Sequence, residues 1–236
     1  MKQANVTYST SLPKYIQISE VLIRDVMAGR IPDGAKLPPE RTMAESLGIA
    51  VGTLRKALRV LEKKGVIERI QGSGNYIRHR PDINSIYGMF RLELTTGGGL
   101  PTAQIRSIDL LPKPTDAPEF GTSPMAHRIR RLRLLNAIPV AMEEIWLDQS
   151  YAATLSINDL SESLYLYYRQ SLNLWILRIE DQVSLANMPD WAHDDFTRGS
   201  SCGYVERISW AQNNVRAEYS RTWFDTKKAR YVTRIQ

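Results

Sequence analysis

Arginine and lysine carry the most legible chemistry in this chain. In the stretch Ala50–Lys64, AVGTLRKALRVLEKK, helical spacing gathers Leu54, Ala57, Leu58 and Leu61 on one stripe and sets Arg55, Lys56, Arg59 and Lys63 on the other side. The apolar stripe needs a core and the basic side suits a polyanion; a surface helix with a solvated basic face would read the same in isolation. A second pair, Arg131 and Arg133, sits two residues apart in the run His127–Leu135. Period-two geometry puts both with Ile129 on one strand face, and Leu132 with Leu134 on the other. Neighbouring guanidinium groups repel unless an anion or a carboxylate neutralises them, and their forked donors match phosphate and carboxylate. In the following run Glu143 shares its face with Ala141 and Ile145. Two readings stay open: an anionic ligand held by the arginine pair, or ion pairs with Glu143, Glu144 or Glu218 inside the sheet.

Catalytic and metal-binding sets do not assemble from the sequence. His79, His127 and His193 are far apart without ligand spacing, and no G-x-S-x-G turn is present. The expectation is no enzyme, no catalytic residue, no metal and no cofactor. A single cysteine, Cys202, excludes an intrachain disulfide and fits a reducing cytosol. The opening MKQANVTYSTS lacks signal-peptide character, and no run approaches the roughly 18 apolar residues that span a bilayer, so a soluble cytoplasmic protein without membrane contact is expected. The glycine run Thr96–Thr102 reads equally as a backbone anion nest or as a turn. The tryptophans, Trp146, Trp175, Trp191, Trp210 and Trp223, read as core or dimer surface.

The elements that must position the basic helix are legible on both sides of it. Before it, Pro39–Leu47 is a short helical pattern with Met43, Ala44 and Leu47 apolar, stopped by Gly48. After it, Gly65–Ile70 and Asn75–Arg78 are β-type runs around Gln71-Gly72-Ser73-Gly74, a hairpin. A first helix from Leu12 or Pro13 to Met27 buries Tyr15, Ile18, Leu22 and Val26, and Ile31–Gly34 is a turn. A helix-turn-helix followed by a hairpin is a winged helix, whose second helix enters the DNA major groove. Charge agrees. Residues 1–80 hold 14 Lys or Arg against 7 Asp or Glu, net +7, whereas residues 81–236 hold 17 against 18, net −1. Basicity confined to one part of a chain is the footprint of nucleic-acid binding.

The segments PKYIQI (Pro13–Ile18), GAKLPPER (Gly34–Arg41), TLRKAL (Thr53–Leu58) and Gly72-Ser73-Gly74 together resemble, in order and spacing, the DNA-binding domain of the GntR family of bacterial transcriptional regulators. The resemblance implies that Arg41 and Arg55 contact double-stranded DNA and that the wing tip at Gly72–Gly74 approaches the minor groove. Joined to the basic face, it gives a DNA-facing set of Arg41, Thr53, Arg55, Lys56, Arg59, Gln71, Gly72, Ser73 and Gly74. Relatives usually carry Ser or Thr followed by Arg at the start of the recognition helix. This chain has Ala50 and Val51 there, so an operator sequence does not carry over.

After a polar linker at 81–90, entered through Arg78-His79-Arg80-Pro81-Asp82, residues 91–236 read as mixed α and β. Strands are expected at His127–Leu135 and Val140–Leu147 around a turn at Asn136–Pro139, then a helix over Glu162–Ser171 with Ser161 as its N-cap. Strands at Trp175–Ala186, Tyr204–Ala211 and Arg216–Phe224 follow, with a last run at Tyr231–Ile235.

Through Arg131–Leu134 with Pro139 and Glu143, Ser163-Leu164-Tyr165, and Arg216–Ser220 leading to Phe224 and Asp225, this second part resembles the UTRA domain of the HutC branch. The resemblance implies an α+β protein, an N-terminal winged helix-turn-helix joined to a chorismate-lyase-like mixed sheet with helices. It implies that Arg131, Arg133, Ser163 and Tyr165 hold an anionic group and that Glu143 and Glu218 face the rest of the effector; Phe224 stands where relatives have Tyr. Effectors among relatives include histidine-pathway intermediates, sugar phosphates, phosphonate-type anions and fatty acids. The expected function is a metabolite-responsive DNA-binding regulator, a repressor acting as a homodimer on a two-fold operator and released by a small anionic effector. A chorismate-lyase-like enzyme and an effector-free architectural DNA-binding protein are the alternatives.

Overall fold

Three helices and a hairpin, and separately a wide sheet crossed by one helix, make up the described part of the chain. The structure is a computed structural model in which residues 12–78, 85 and 87–234 are described. His79, much of the expected linker and Ile235 lie outside the described residues. The chain divides into two compact units, one built on Leu12–Arg91 with Gly98–Leu100, the other on Leu92–Gly97 and Pro101–Tyr231.

In the first unit α1 (Lys14–Met27), α2 (Glu40–Ser46) and α3 (Val51–Lys63) are followed by β1 (Ile67–Ile70) and β2 (Gly74–Ile77). Both α1 and α2 begin immediately after a proline with extended ψ, Pro13 and Pro39. Neither helix has a side-chain N-cap, so the fixed proline φ sets their starts. Gly48, at φ 62°, makes the tight turn between α2 and α3 that a side chain would strain. The stripe Leu54, Ala57, Leu58 and Leu61 is buried against Ile18, Leu22, Ile23 and Val26 of α1, Met43 and Ala44 of α2, and Ile67 and Ile77 of the hairpin. The wing pairs Ile67 with Ile77 and Ile70 with Gly74 in antiparallel register, and Lys36 bridges to Tyr76 alongside it.

The second unit is a six-stranded sheet in the order β4-β5-β6-β9-β8-β7, with β4 Pro101–Pro112, β5 Met125–Leu135, β6 Ile138–Asp148, β7 Ile176–Asn187, β8 Ser201–Ala211 and β9 Arg216–Phe224. A small ladder pairs β3 (Leu92–Leu94) with β10 (Ala229–Tyr231). Among the described residues every ladder is antiparallel, which corrects the expected mixed sheet: β4, β5 and β6 run as a meander and the later strands join the free side of β6 through β9. Asn136 and Ala137, at φ 50° and 63°, form a two-residue hairpin turn, so Pro139 lies inside β6 rather than in the turn. α4 runs Leu164–Ser171 with Ser163, not Ser161, as N-cap. The Ser161 hydroxyl is spent on the Ser163 carbonyl at 2.6 Å, which leaves Ser163 to accept from the Leu166 amide. The expected last run at Tyr231–Ile235 is replaced by Ala229–Tyr231.

Leu160, Leu164 and Tyr168 cover Ile129, Ile145 and Leu147 on one sheet face. On the other, Met188, Ala192 and Phe196 cover Leu132, Met142 and Trp223, while Phe120 packs with Trp146 and Tyr219.

Candidate functional site

Of the residues expected to face DNA, Arg55, Lys56 and Arg59 all project exposed from α3, with Thr53 half-buried one turn earlier. Arg41 is exposed on α2 and pairs with Glu45 at 3.3 Å. Gln71, Gly72 and Ser73 form the exposed tip of the wing and Gly74 begins β2; the Ser73 and Tyr76 hydroxyls lie 2.7 Å apart and steady the turn. One contact was not foreseen. Glu40, the first residue of α2, places Oε2 2.6 Å from Arg55 Nε and Oε1 4.0 Å from Nη2 of Arg69 on the wing. Ala50, Val51 and Gly52 give the start of α3 no hydrogen-bonding side chain, so its polar reach begins at Thr53.

The effector-side residues come together through the register of the sheet. Four cross-strand rows share the face that α4 covers. They are Arg133–Ala141–Phe224–Gly203–Leu185, Arg131–Glu143–Thr222–Val205–Val183, Ile129–Ile145–Ser220–Arg207–Asp181 and His127–Leu147–Glu218–Ser209–Ile179. Because side chains alternate, residues in these rows all point to one side. Arg131, Arg133, Glu143, Glu218 and Phe224 therefore occupy one surface; Tyr165 of α4 reaches it with its hydroxyl, 2.9 Å from Ser209 and 3.1 Å from Glu218, while the Ser163 hydroxyl caps the helix.

Within that surface Arg131 holds Glu143 with Nε and Nη2, each 2.8 Å from Oε2, and Arg133 Nε lies 3.7 Å from Oε1. The Nη1 groups of both arginines converge on one oxygen, the Glu162 carbonyl, at 3.4 and 3.5 Å. Burial pushes the Glu143 carboxyl up, but the two arginine charges and the Arg131 hydrogen bonds overcome this and hold it below the usual range. Glu218 sits in a different setting. It accepts from Tyr168 at 2.7 Å, and from Tyr165 and Ser209 at 3.1 Å each. Its burial outweighs these hydroxyls and keeps its carboxyl above the usual range. Burial and the charge of Glu218 push the Tyr165 phenol up as well.

Arg207 and Asp181 were missed by reading the sequence. Arg207 Nε and Nη2 fork onto the two Asp181 oxygens at 2.6 and 2.7 Å, and Tyr231 donates to Asp181 at 2.5 Å. Despite burial, Asp181 and Tyr165 hold Arg207 firmly protonated. Period two in Val205-Glu206-Arg207-Ile208-Ser209 was the available signal, but it needed the neighbouring strand to give it meaning. Phe224 lies at the far end of the face, its ring against Gly203 so closely that a Cβ there would stand 2.2 Å from Phe224 Cζ. In the Thr96–Thr102 run, Gly97 donates to the Leu94 carbonyl at 2.7 Å, so that amide is committed to the chain's own turn. No helix among the described residues is long and apolar enough to cross a membrane.

Residues 14–77 match the bacterial regulatory proteins of the gntR family, and residues 97–230 match the UTRA domain. The chain is 57% identical over 228 residues to the HTH-type transcriptional regulator SmoD of Agrobacterium fabrum, covering 96% of this chain and 97% of that protein. It is 23% identical over 235 residues to the HTH-type transcriptional repressor NagR of Bacillus subtilis, covering 97% of each. The crystal structure of the possible transcriptional regulator YydK from Bacillus subtilis shares the fold, with TM-score 0.54 at 20% identity over 95% of this chain and all of that one.

Proposed function

The chain belongs to the gntR family of bacterial regulatory proteins, an HTH-type transcriptional regulator with a UTRA effector-binding domain, and from that premise we propose a repressor that a small anionic effector releases from a two-fold operator. The observation that carries this reading is the convergence of Arg131 and Arg133 Nη1 on the single Glu162 carbonyl at 3.4 and 3.5 Å. Both bonds are long, and a carbonyl with partial charge is a weak partner for two cations. An anionic oxygen placed there gains one Nη1 donor from each arginine and stands one residue before the N-cap of an eight-residue helix, where the dipole favours negative charge.

Charge balance on this face supports the same reading. Three guanidinium groups, Arg131, Arg133 and Arg207, share the face with two carboxylates paired to them, Glu143 and Asp181. Ser163 and Tyr165 then join the two arginines around the anionic group, Glu143 and Glu218 face the effector's polar remainder, and Phe224 gives it an apolar boundary. A homodimer suits this mechanism because one recognition helix reads one half-site. The terminal strand β7 supports it: Leu177, Val183 and Leu185 are 62%, 53% and 75% exposed there, a stripe that a second copy would remove from water. Bound effector favours a different spacing of the two winged helices, which requires only that it bind one arrangement better than the other. The lone cysteine, Cys202, suits work in the cytoplasm.

A thermal-shift screen of anionic metabolites on the full chain tests the effector reading. A true effector at 100 times its Kd stabilises by about 2.7 kcal/mol and lowers operator affinity in a gel shift. Unchanged operator affinity at a saturating, stabilising anion overturns release, and Arg131→Ala is expected to lose the response while keeping operator binding.

A further inference from the structure

We propose that Glu40 is a positioning residue that sets sequence discrimination: one carboxylate fixes the guanidinium of Arg55 on α3 and faces that of Arg69 on the wing. This rests on the reading of α3 and the wing as the DNA-contact surface. Glu40 follows Pro39, whose fixed φ orients the start of α2, and its side chain is only 22% exposed against 60% for Arg55 and 61% for Arg69. The two carboxylate oxygens are divided between two elements, Oε2 at 2.6 Å from Arg55 and Oε1 at 4.0 Å from Arg69. Between α3 and β1 lies a small cavity of about 40 Å³, floored by Leu58 and Ile67 and rimmed by these charged groups. By contrast Arg41 pairs with Glu45, one turn away on α2, in a largely exposed contact at 3.3 Å.

The chemistry follows from which donor is engaged. Glu40 takes the Nε–H of Arg55 and not its terminal nitrogens, whose paired donors match guanine O6 and N7 as a fork. A guanidinium paired this way is biased toward one rotamer before DNA arrives, which favours the geometry that matches a base edge. The carboxylate also reduces the net charge that two long, exposed arginines offer to any phosphate, which lowers sequence-independent affinity. Since Ala50, Val51 and Gly52 contribute no polar side chain, the burden of reading falls on few groups, and the placement of Arg55 matters accordingly.

The test uses the full chain, a duplex selected by it from a random pool, and a random-sequence duplex, with affinities measured over a salt series. Glu40→Gln is expected to lower the selected-to-random affinity ratio roughly three- to tenfold, the range expected from freeing one or two long side chains. It is also expected to steepen the salt slope by about one to two, as the freed arginines reach phosphates. On re-selection, the loss falls at the base pair where Arg55→Ala relaxes selection, which a general loosening of the fold would not produce. Should Glu40→Gln not fold, Glu40→Asp keeps an acid in the first turn of α2 while withdrawing the carboxylate by one methylene, and the same drop is expected. An unchanged ratio in either folded variant, with Arg55→Ala lowering it, overturns the role of Glu40 and leaves the DNA surface standing. An unchanged ratio in Arg55→Ala overturns the reading of α3 itself.

Discussion

Arginines in the two units are held in opposite ways. On the winged helix Arg41, Arg55 and Arg69 keep 88%, 60% and 61% of their side chains in water beside Glu45 and Glu40. On the sheet, Arg131 and Arg133 are buried against Glu143, and Arg207 is nearly so against Asp181. Exposed pairs contribute about 0–1 kcal/mol and are readily exchanged. That lets Arg41 exchange Glu45 for a phosphate, while the Glu40 pair at the Nε of Arg55 leaves its other donors for a base edge. Buried pairs resist exchange because a lone buried charge is costly. On the effector reading proposed above, a ligand would take the place of the long Glu162 carbonyl contacts and leave Glu143 paired with Arg131.

Breaking the buried side of this contrast has the largest expected effect. Glu143→Gln leaves Arg131 and Arg133 without their carboxylate and is expected to cost about 3–5 kcal/mol of unfolding free energy in denaturant titration. Glu40→Gln in the same assay costs about 1 kcal/mol or less, because its partner stays solvated. A pH series sharpens the point. The Glu143 carboxyl is held below its ordinary 4.5, so its contribution is fully present above that value and is lost as pH falls through the lower folded-state pKa. In Glu143→Gln that acid-side loss is absent.

Next in size is the β7 stripe. Leu185→Lys places a charge where a dimer would bury a leucine, forfeiting about 1.5–3 kcal/mol of burial per protomer and raising the dimer dissociation constant in sedimentation; an unchanged constant moves the dimer contact elsewhere. On the DNA side, Arg55→Ala is expected to cost about 1–3 kcal/mol on a selected duplex and to relax one base pair. Lys56→Ala, from the same helix face, is expected to weaken selected and random duplexes alike and to flatten the salt slope by about 0.9.

How legible each unit was in the sequence follows from how local its contacts are. The winged helix is contiguous. Leu54, Ala57, Leu58 and Leu61 announce α3, Gly48 announces the turn before it, and the partners they pack on lie within a few tens of residues. Arg131, Arg133 and Glu143 were also readable, because β5 and β6 are joined by a two-residue turn and period two places them opposite one another. β4 was not, since its alternation breaks at the register shift between Ile105 and Ser107 and prolines stand at both its ends. Arg207 and Asp181 escaped because the pairing of β7, β8 and β9 is a non-local choice; only the register beside Ser220 puts Arg207 on the α4 face. Glu40 carried no reading of its own in the sequence, because nothing local announces its contact with Arg69, 29 residues on.

The smallest predicted effect separates the two carboxylates that share the effector face. Glu218 is surrounded by hydroxyls rather than guanidinium groups, and burial keeps its carboxyl above 4.5 where Glu143 lies below it. The sign is therefore reversed. For Glu218 stability is fully present below the unfolded-state value and is lost as pH rises through the folded-state one. Glutamine accepts and donates in the same space without ever ionising, and the Tyr168 hydroxyl can donate or accept. The melting midpoint of Glu218→Gln relative to wild type is thus expected to rise as pH increases from about 4 toward neutrality. A difference that stays flat, or falls, would mean that the three hydroxyls and Arg131 outweigh burial, and that Glu218 stands beside Glu143 as a second fixed negative charge on the face.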